Sequence, residues 1–119
     1  MEVKDKVILI TGGASGIGKA SGLKLGQAGA KIAICDIDKE NGKKTEKEFK
    51  NKDINAKFFQ CDVTDEKSVE KAVQLVKDIW NKIDVAFLNA GIEGPNKKIS
   101  EIEYTEWKKT FEINVNGVF

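Results

Sequence analysis

Thr-Gly-Gly-Ala-Ser-Gly-Ile-Gly occupies residues 11–18, directly after the apolar run 7–10 and directly before a helix-like stretch. Three spaced glycines, Gly12, Gly16 and Gly18, let a strand reverse tightly and bring backbone N–H groups close to a pyrophosphate. The N-terminus of the following helix adds a positive dipole. The stretch therefore predicts a strand–turn–helix unit that binds the phosphates of a nucleotide.

Two other interpretations of this loop need weighing. Glycine is common in turns, and the spacing is Gly-x-x-x-Gly-x-Gly rather than Gly-x-Gly-x-x-Gly, so a purely structural turn also fits. A nucleoside-triphosphate P-loop would use Gly13, Gly18 and Lys19, but Ala20 stands where a Ser or Thr hydroxyl should hold Mg²⁺. Ser21 comes one residue late, about 100° further round the helix. The departure at Ala20 disfavours a P-loop, and the strand and helix on either side disfavour a bare turn.

The length and the charge balance indicate one ordinary globular domain, residues 1–119. A chain of 119 residues buries roughly two-thirds of the surface that it exposes when unfolded. Its 20 basic residues, all lysine, and 19 acidic residues leave a net charge of +1, so we expect no nucleic-acid partner and no membrane partner. The lysine-rich segment 39–52 is interpreted as a solvated helix face. The apolar run 7–10 is too short for a signal peptide or a membrane span, and we expect a cytoplasmic location.

The cysteine and histidine content limits the chemistry. Cys35 and Cys61 each end an apolar strand-like run, which suits buried thiols in a reducing compartment. The sequence has no histidine and no Cys-x-x-Cys pair. A zinc site and a Ser-His-Asp triad are therefore excluded, and we expect no metal.

Apolar runs alternate with helix-like stretches along the whole chain. The strand-like runs lie at roughly 6–10, 31–36, 56–61 and 84–88. The helix-like stretches lie at roughly 17–28, 39–51, 66–81 and 100–118. Helices between successive strands impose parallel pairing, and continuous apolar strands indicate a sheet covered on both faces. The pattern predicts an α/β fold with a doubly wound parallel sheet in the order β-α-β-α-β-α-β-α.

Helical spacing also predicts which side chains face the core. In the third helix, an apolar stripe at three- and four-residue intervals should face the sheet. Its members are Val69, Ala72, Val73, Val76, Ile79 and Trp80. We expect Trp107 and Phe111 in the fourth helix to be core residues as well.

Asp36 lies 20 residues after Gly16, at the end of the second strand-like run. A dinucleotide-binding loop predicts an acid at about this distance, where it binds the adenosine ribose. Its carboxylate would accept hydrogen bonds from both ribose hydroxyls and repel a 2′-phosphate, which favours NAD over NADP. Ser15 and Ile37 are uncharged, whereas an NADP enzyme would be expected to place a basic residue at one of these positions. The alternative is an acid that merely ends a strand.

At this point the sequence resembles the short-chain dehydrogenase/reductase family over residues 3–119. Five motifs in family-like order carry the resemblance: the loop 11–18, Asp36, Asp62-Val63, Asn89-Ala90-Gly91, and Asn114 within Asn-Val-Asn-Gly. The glycine spacing matches the branch that reduces ketones and oxidises alcohols. The resemblance implies a Rossmann-type sheet with strand order 3-2-1-4.

The resemblance also implies roles for single residues. Asp62 would bind the adenine amino group, the Val63 backbone would contact the ring, and Thr11 would brace the turn at Asn89. Asn114 is the catalytic candidate, because its backbone carbonyl would hold a water of the proton relay. The expected cofactor-binding set is Gly12, Ser15, Gly16, Ile17, Gly18, Asp36, Ile37, Asp62, Val63, Asn89, Ala90 and Gly91.

The chemistry that the resemblance implies is hydride transfer between nicotinamide C4 and an alcohol or ketone carbon. The Ser and the Tyr-x-x-x-Lys pair of the family lie downstream of the asparagine, and here only five residues follow Asn114. The apolar ending 113–119 indicates a chain cut inside or just after a helix. We therefore expect the 119-residue chain to bind cofactor weakly and to be inactive alone. A full-length chain is expected to be a homo-oligomer acting on a small-molecule alcohol or ketone. A non-catalytic dinucleotide sensor or scaffold is the alternative function.

Tyr104 and Lys108 also form Tyr-x-x-x-Lys and would share one helix face. They precede Asn114 rather than follow it. We therefore expect this pair to be non-catalytic.

Overall fold

The computed structural model describes residues 2–119. Four strands alternate with four α-helices, as the apolar pattern predicts. In chain order the elements are β1 (Val7–Thr11), α1 (Gly16–Gln27), β2 (Lys31–Asp36), α2 (Lys39–Lys50), β3 (Ala56–Gln60), α3 (Glu66–Trp80), β4 (Val85–Leu88) and α4 (Tyr104–Phe111). A 3₁₀ turn, Ile99–Glu101, precedes α4, and a π-helical turn, Glu112–Asn116, follows it.

The strands form one parallel sheet in the order β3-β2-β1-β4. β1 lies between β2 and β4, and Leu9 is in register with Ala33 on one side and Ala86 on the other. The chain thus runs outward in one direction to β3 and then crosses back to β4. The doubly wound parallel fold and the strand order 3-2-1-4 are confirmed.

The core has two layers because alternate strand residues point to opposite faces of the sheet. Ile8 and Ile10 pack with Phe49 of α2 on one face. Val7 and Leu9 pack with Val76 of α3 on the other. β4 is only partly covered, since Ala86 and Leu88 are exposed.

Aspartates begin two of the helices. The Asp38 side chain accepts a hydrogen bond from the Asn41 N–H at 3.0 Å at the start of α2. The Asp65 side chain accepts from the N–H groups of Lys67 and Ser68 at the start of α3. Such N-caps satisfy helix N–H groups that have no carbonyl partner within the helix.

The prediction of one helix over 100–118 is wrong, because this segment divides into three pieces. α4 starts only at Tyr104, where Glu103 and Glu106 form a reciprocal capping box. After Phe111 the helix widens, and the Gly117 N–H donates to the Glu112 carbonyl at 2.9 Å, five residues back. This i→i+5 bond is the signature of a π turn, which is rare and often lies at functional sites.

Three predicted core residues are more exposed than expected. Ala72 and Val76 are buried as predicted, but Ile79 is 50% exposed because it lies at the margin of the α3 stripe. Trp107 and Phe111 are each 46% exposed and pack on one another, with ring centroids 5.0 Å apart.

Within residues 2–119, no helix is long and apolar enough to cross a bilayer.

Candidate functional site

The predicted cofactor-binding residues lie at or just beyond the carboxyl ends of the strands. The glycine loop follows β1, Asp36 ends β2, Asp62 lies just beyond β3, and Asn89 follows β4. Because the four strands are parallel, these ends meet at one edge of the sheet. β1 has β2 on one side and β4 on the other, so the strand order reverses here. A crevice at such a switch point is the usual place for a ligand in open α/β sheets.

The glycines of the loop serve different geometric needs. Gly12 and Gly16 have φ of 65° and 51°, in the left-handed region that side chains disfavour. A Cβ on Gly18 would overlap the Gly12 carbonyl oxygen, so glycine allows α1 to approach β1 closely. A Cβ on Gly16 would meet no atom of the described chain within 4 Å. The loop is therefore open to solvent at Gly16, which leaves room for a ligand there.

The N-terminus of α1 faces this space without a protein cap. Ser15 is the N-cap residue, with extended φ and ψ of −153° and 169°, and its side chain makes no capping hydrogen bond. The first turn of α1 holds no acidic residue. The free N–H groups and the positive end of the helix dipole thus remain available to an anion. Ser15 and Ile17 are both exposed, and Ile17 is 73% exposed.

Lys19 is engaged elsewhere. Its ammonium group forms an ion pair with Glu48, which joins α1 to α2. A P-loop lysine would instead reach the phosphates of the loop. This contact argues further against a nucleoside-triphosphate site.

The Asp36 carboxylate is held by two backbone groups. Its Oδ2 accepts a hydrogen bond from the Ala14 N–H at 3.0 Å, and its Oδ1 accepts from the Asp38 N–H at 3.0 Å. Each carboxylate oxygen still has a lone pair for a second donor. The acid at the end of β2 is therefore fixed in orientation and tied to the glycine loop. Ile37, the next residue, is 61% exposed.

Asp62 and Val63 lie beyond β3 and next to Asp36. The Cys61 N–H donates to the Asp36 carbonyl at 2.9 Å, which brings the two strand ends together. Asp62 Oδ1 accepts from the Thr64 N–H at 2.9 Å and from the Thr64 hydroxyl at 2.7 Å. Val63 is half-buried and lines a groove of about 490 Å³ on the α3 side of the sheet.

Both cysteines are buried and unpaired. Burial, followed by the neighbouring Cys61 and Asp36, raises the pKa of the Cys35 thiol. Burial and the nearby Asp62 likewise raise the pKa of Cys61. Both side chains are therefore neutral thiols at pH 7, as expected for structural cysteines.

Asn89 joins β4 to β1 at the loop. Its Nδ2 donates to the carbonyl oxygens of Thr11 at 3.1 Å and Gly12 at 3.3 Å. The Thr11 hydroxyl accepts from the N–H groups of Asn89 and Ala90 at 3.0 and 3.1 Å. A Cβ on Gly91 would lie 3.2 Å from Asn114 Oδ1, so this turn also passes close to the last helix.

Asn114 lies in the π turn and bonds to the segment after β4. Its Oδ1 accepts from the Ile92 N–H at 2.8 Å, and its Nδ2 donates to the Ile92 carbonyl at 2.7 Å. The helix around Asn114 is widened to a π turn. The side-chain pairing with Ile92 was not foreseen, and the water-holding role of the Asn114 carbonyl stays a prediction.

Sequence reasoning also missed Thr45 of α2. Its hydroxyl is buried and donates to the Ala14 carbonyl of the glycine loop at 3.2 Å. The available signal was weak: Gly42, Thr45 and Phe49 recur at helical spacing in an otherwise charged helix, which marks its buried side.

Within residues 2–119, no group of three or more His, Cys, Asp or Glu side chains is arranged to hold a metal ion. Tyr104 is the first residue of α4 and is 72% exposed. Lys108 Nζ lies 5.7 Å from its ring centroid, so the pair is a surface cation–π contact on α4.

A family model described as short chain dehydrogenase matches residues 6–119. The chain belongs to the short-chain dehydrogenase family. Zerumbone synthase of Zingiber zerumbet is 42% identical over 120 residues, which cover 100% of this chain and 45% of that protein. Secoisolariciresinol dehydrogenase of Forsythia intermedia is 40% identical, over 98% of this chain and 42% of that protein. The crystal structure of NAD⁺-bound xylitol dehydrogenase matches with a TM-score of 0.95 at 34% identity, over 100% of this chain and 46% of that one.

The chain spans less than half the length of these short-chain dehydrogenase relatives. The resemblance that the five motifs predicted is confirmed, and so is the fold that it implied. The structure brings the glycine loop, Asp36 and Asn89 into one hydrogen-bonded unit, with Asp62 and Val63 beside it. The roles of the single residues toward a cofactor remain predictions.

Proposed function

We propose that the chain forms the dinucleotide-binding part of an NAD-dependent oxidoreductase that transfers hydride between nicotinamide and an alcohol or ketone. One observation carries the proposal: the Asp36 carboxylate is held by the Ala14 N–H beside a glycine loop that is open at Gly16. An acid fixed next to an open glycine loop at a helix N-terminus is the arrangement that an adenosine dinucleotide requires.

Different residues at the strand ends would bind different parts of the dinucleotide. Gly16 and the first turn of α1 would hold the pyrophosphate, because their N–H groups and the helix dipole attract negative charge. Asp36 would accept hydrogen bonds from the hydroxyls of the adenosine ribose. Asp62 would accept from the adenine amino group, and the Val63 backbone would contact the ring.

The Asn89-Ala90-Gly91 turn gives the cofactor close backbone access next to Gly12. The bound nicotinamide supplies the hydride acceptor or donor. Asn114 acts as a helper of proton transfer, holding a water at its backbone carbonyl while its side chain fixes the π turn to Ile92.

Negative charge at the ribose end favours NAD over NADP. Asp36 and Asp38 lie together there, and the Asn41 N–H and side chain lower the pKa of Asp38, so it is ionised at pH 7. Ser15 and Ile37 carry no charge. A 2′-phosphate would therefore meet carboxylates without a compensating cation at position 15 or 37.

The hydride-transfer chemistry would also need the family's Ser and Tyr-x-x-x-Lys pair, which residues 115–119 do not include. We expect the described chain to bind dinucleotide weakly and to catalyse nothing alone. A homo-oligomeric, cytoplasmic whole protein acting on an alcohol or ketone stays a prediction.

Calorimetric titration of the chain with NAD and NADP tests the proposal. We expect NAD to bind more tightly than NADP. Asp36→Ala should reduce the difference between the two binding free energies by about 1–3 kcal/mol, because a charge repulsion and charge-assisted hydrogen bonds are lost. Asp78→Ala, which removes an exposed carboxylate on α3, is the matched control and should leave the difference intact. Equal affinities of the unaltered chain for both dinucleotides would contradict the NAD assignment.

A further inference from the structure

Helix α2 carries a buried hydroxyl, that of Thr45, which has no role in the proposed function. This helix is rich in lysine and glutamate, and its buried residues are Gly42, Thr45 and Phe49. Thr45 is 1% exposed, and within residues 2–119 it is the only buried side chain that is polar. A buried hydroxyl is costly unless it is hydrogen-bonded, so its partner identifies what it does.

That partner lies in the glycine loop, 31 positions away in the sequence. Thr45 Oγ1 donates to the Ala14 carbonyl oxygen at 3.2 Å. In the described part of the chain, this hydroxyl is the only donor to that carbonyl. On the other side of the same residue, the Ala14 N–H donates to Asp36 Oδ2 at 3.0 Å.

The two bonds fix the peptide groups on both sides of the Ala14 Cα. The group between Gly13 and Ala14 is oriented by Asp36, and the Gly13 N–H is bonded to the Cys35 carbonyl at 3.1 Å. The group between Ala14 and Ser15, which leads into the open part of the loop, is oriented by Thr45. Without the hydroxyl, the Ala14 carbonyl would be left without a donor, and its peptide group would rotate toward another one.

We propose that Thr45 is a positioning residue for the ribose end of the dinucleotide site and contributes to the selection of NAD over NADP. Its hydroxyl holds Ala14, and Ala14 holds the Asp36 carboxylate in the orientation that receives two ribose hydroxyls. The proposal rests on the proposed function, since it concerns the same dinucleotide site. It adds α2 to the elements that determine cofactor choice.

Thr45→Val tests the proposal because valine keeps the shape of the side chain and removes the donor. Binding of NAD and of NADP is measured by calorimetry, and folding is measured by urea unfolding. We expect NAD affinity to fall on the order of tenfold and NADP affinity to fall less, so that the NAD preference narrows. In an Asp36→Ala background, Thr45→Val should narrow the preference no further, because the carboxylate through which it acts is gone.

Two control variants separate positioning from a general effect of the substitution. Thr45→Ser keeps the donor and should hold the NAD preference within about twofold of the unaltered chain. Thr110→Val removes another half-buried hydroxyl, one that donates to the Glu106 carbonyl at 3.0 Å within α4, and should leave the preference unchanged.

The outcomes distinguish this proposal from the proposed function. An unaltered chain that binds neither dinucleotide overturns the proposed function, and this proposal with it. This proposal alone is overturned if the unaltered chain prefers NAD and Thr45→Val keeps the same ratio of NAD to NADP affinity. Equal losses of affinity for both dinucleotides would give that same ratio. If Thr45→Val does not fold, Thr45→Ala provides the same test. Unfolding of both variants where Thr45→Ser folds would assign the hydroxyl to stability and overturn the proposal.

Discussion

Asn89 donates two hydrogen bonds to Thr11 across the ends of β4 and β1. The Asn89 Nδ2 donates to the Thr11 carbonyl at 3.1 Å, and the Asn89 N–H donates to the Thr11 hydroxyl at 3.0 Å. β1 and β4 diverge at this point into the glycine loop and the Asn-Ala-Gly turn. The pair therefore fixes the width of the crevice at the switch point of the sheet.

Asn89→Asp should weaken both the fold and dinucleotide binding. The aspartate has the same shape, but its carboxylate would face the carbonyl oxygens of Thr11 and Gly12 in place of a donor. We expect a loss of about 1–3 kcal/mol in the free energy of unfolding, measured by urea titration. The control, Asn55→Asp, alters an exposed residue before β3 and should change stability little. Unchanged stability of Asn89→Asp would contradict the bracing role of this side chain.

Gly16→Ala and Gly18→Ala should separate binding from folding. At Gly16 an added Cβ meets open space, so the cost is chiefly the positive φ of 51°, roughly 1–2 kcal/mol. At Gly18 the Cβ overlaps the Gly12 carbonyl, so α1 must move and the loss of stability should be greater, on the order of 2–4 kcal/mol.

Dinucleotide titration of the same two variants gives the second measurement. Gly16→Ala should abolish NAD binding while the fold stays largely intact, because the methyl group occupies the phosphate space. Full NAD affinity in a folded Gly16→Ala variant would remove the loop from the proposed phosphate site.

The sheet and the loop could be predicted from the sequence because their signals are local. Three of the four strands contain a continuous apolar run, and Lys57 interrupts the run in β3. Each crossover is a helix, and the turn at Gly16 needs a residue that accepts positive φ. The contacts that the sequence did not reveal join residues far apart in the chain. Thr45 bonds to Ala14 across 31 positions, and no local pattern marks such a bond.

The segment 100–118 also makes long-range contacts that its local sequence pattern does not reveal. Residues 100–118 have helical spacing throughout, but the Asn114 side chain bonds to the Ile92 backbone 22 positions away, within a helix that has widened to a π turn. Trp107 and Phe111 have core-like spacing and are still 46% exposed. Spacing identifies an apolar helix face, but it does not reveal which element covers that face.

Tyr104→Phe should leave NAD binding and stability unchanged. The Tyr104 hydroxyl lies on an exposed side chain at the first residue of α4, and phenylalanine keeps the ring that Lys108 contacts. Calorimetric titration and urea unfolding of the variant provide the measurements. A loss of NAD affinity above about tenfold would contradict the placement of this Tyr-x-x-x-Lys pair outside the site.

Acid should loosen the start of β4 through Asp84. Its Oδ2 accepts from the Val7 N–H at 2.8 Å, and this bond, followed by the Lys82 ammonium group, lowers the pKa of Asp84 below its usual range. The folded chain thus binds this proton more weakly than the unfolded chain does. The stabilisation is complete above the ordinary aspartate pKa, about 4. It is lost as the pH falls through the lower pKa that Asp84 has in the folded chain.

Urea unfolding of the unaltered chain and of Asp84→Asn, at several pH values from about 6 down to about 2, checks this dependence. The amide keeps an acceptor for Val7 but does not titrate, so the stability advantage of the unaltered chain should shrink as the pH falls. Asp78→Asn controls for the removal of one negative charge from the exposed side of α3. A difference between Asp84→Asn and the unaltered chain that stays constant over the whole range would show that this carboxylate does not couple β4 to β1.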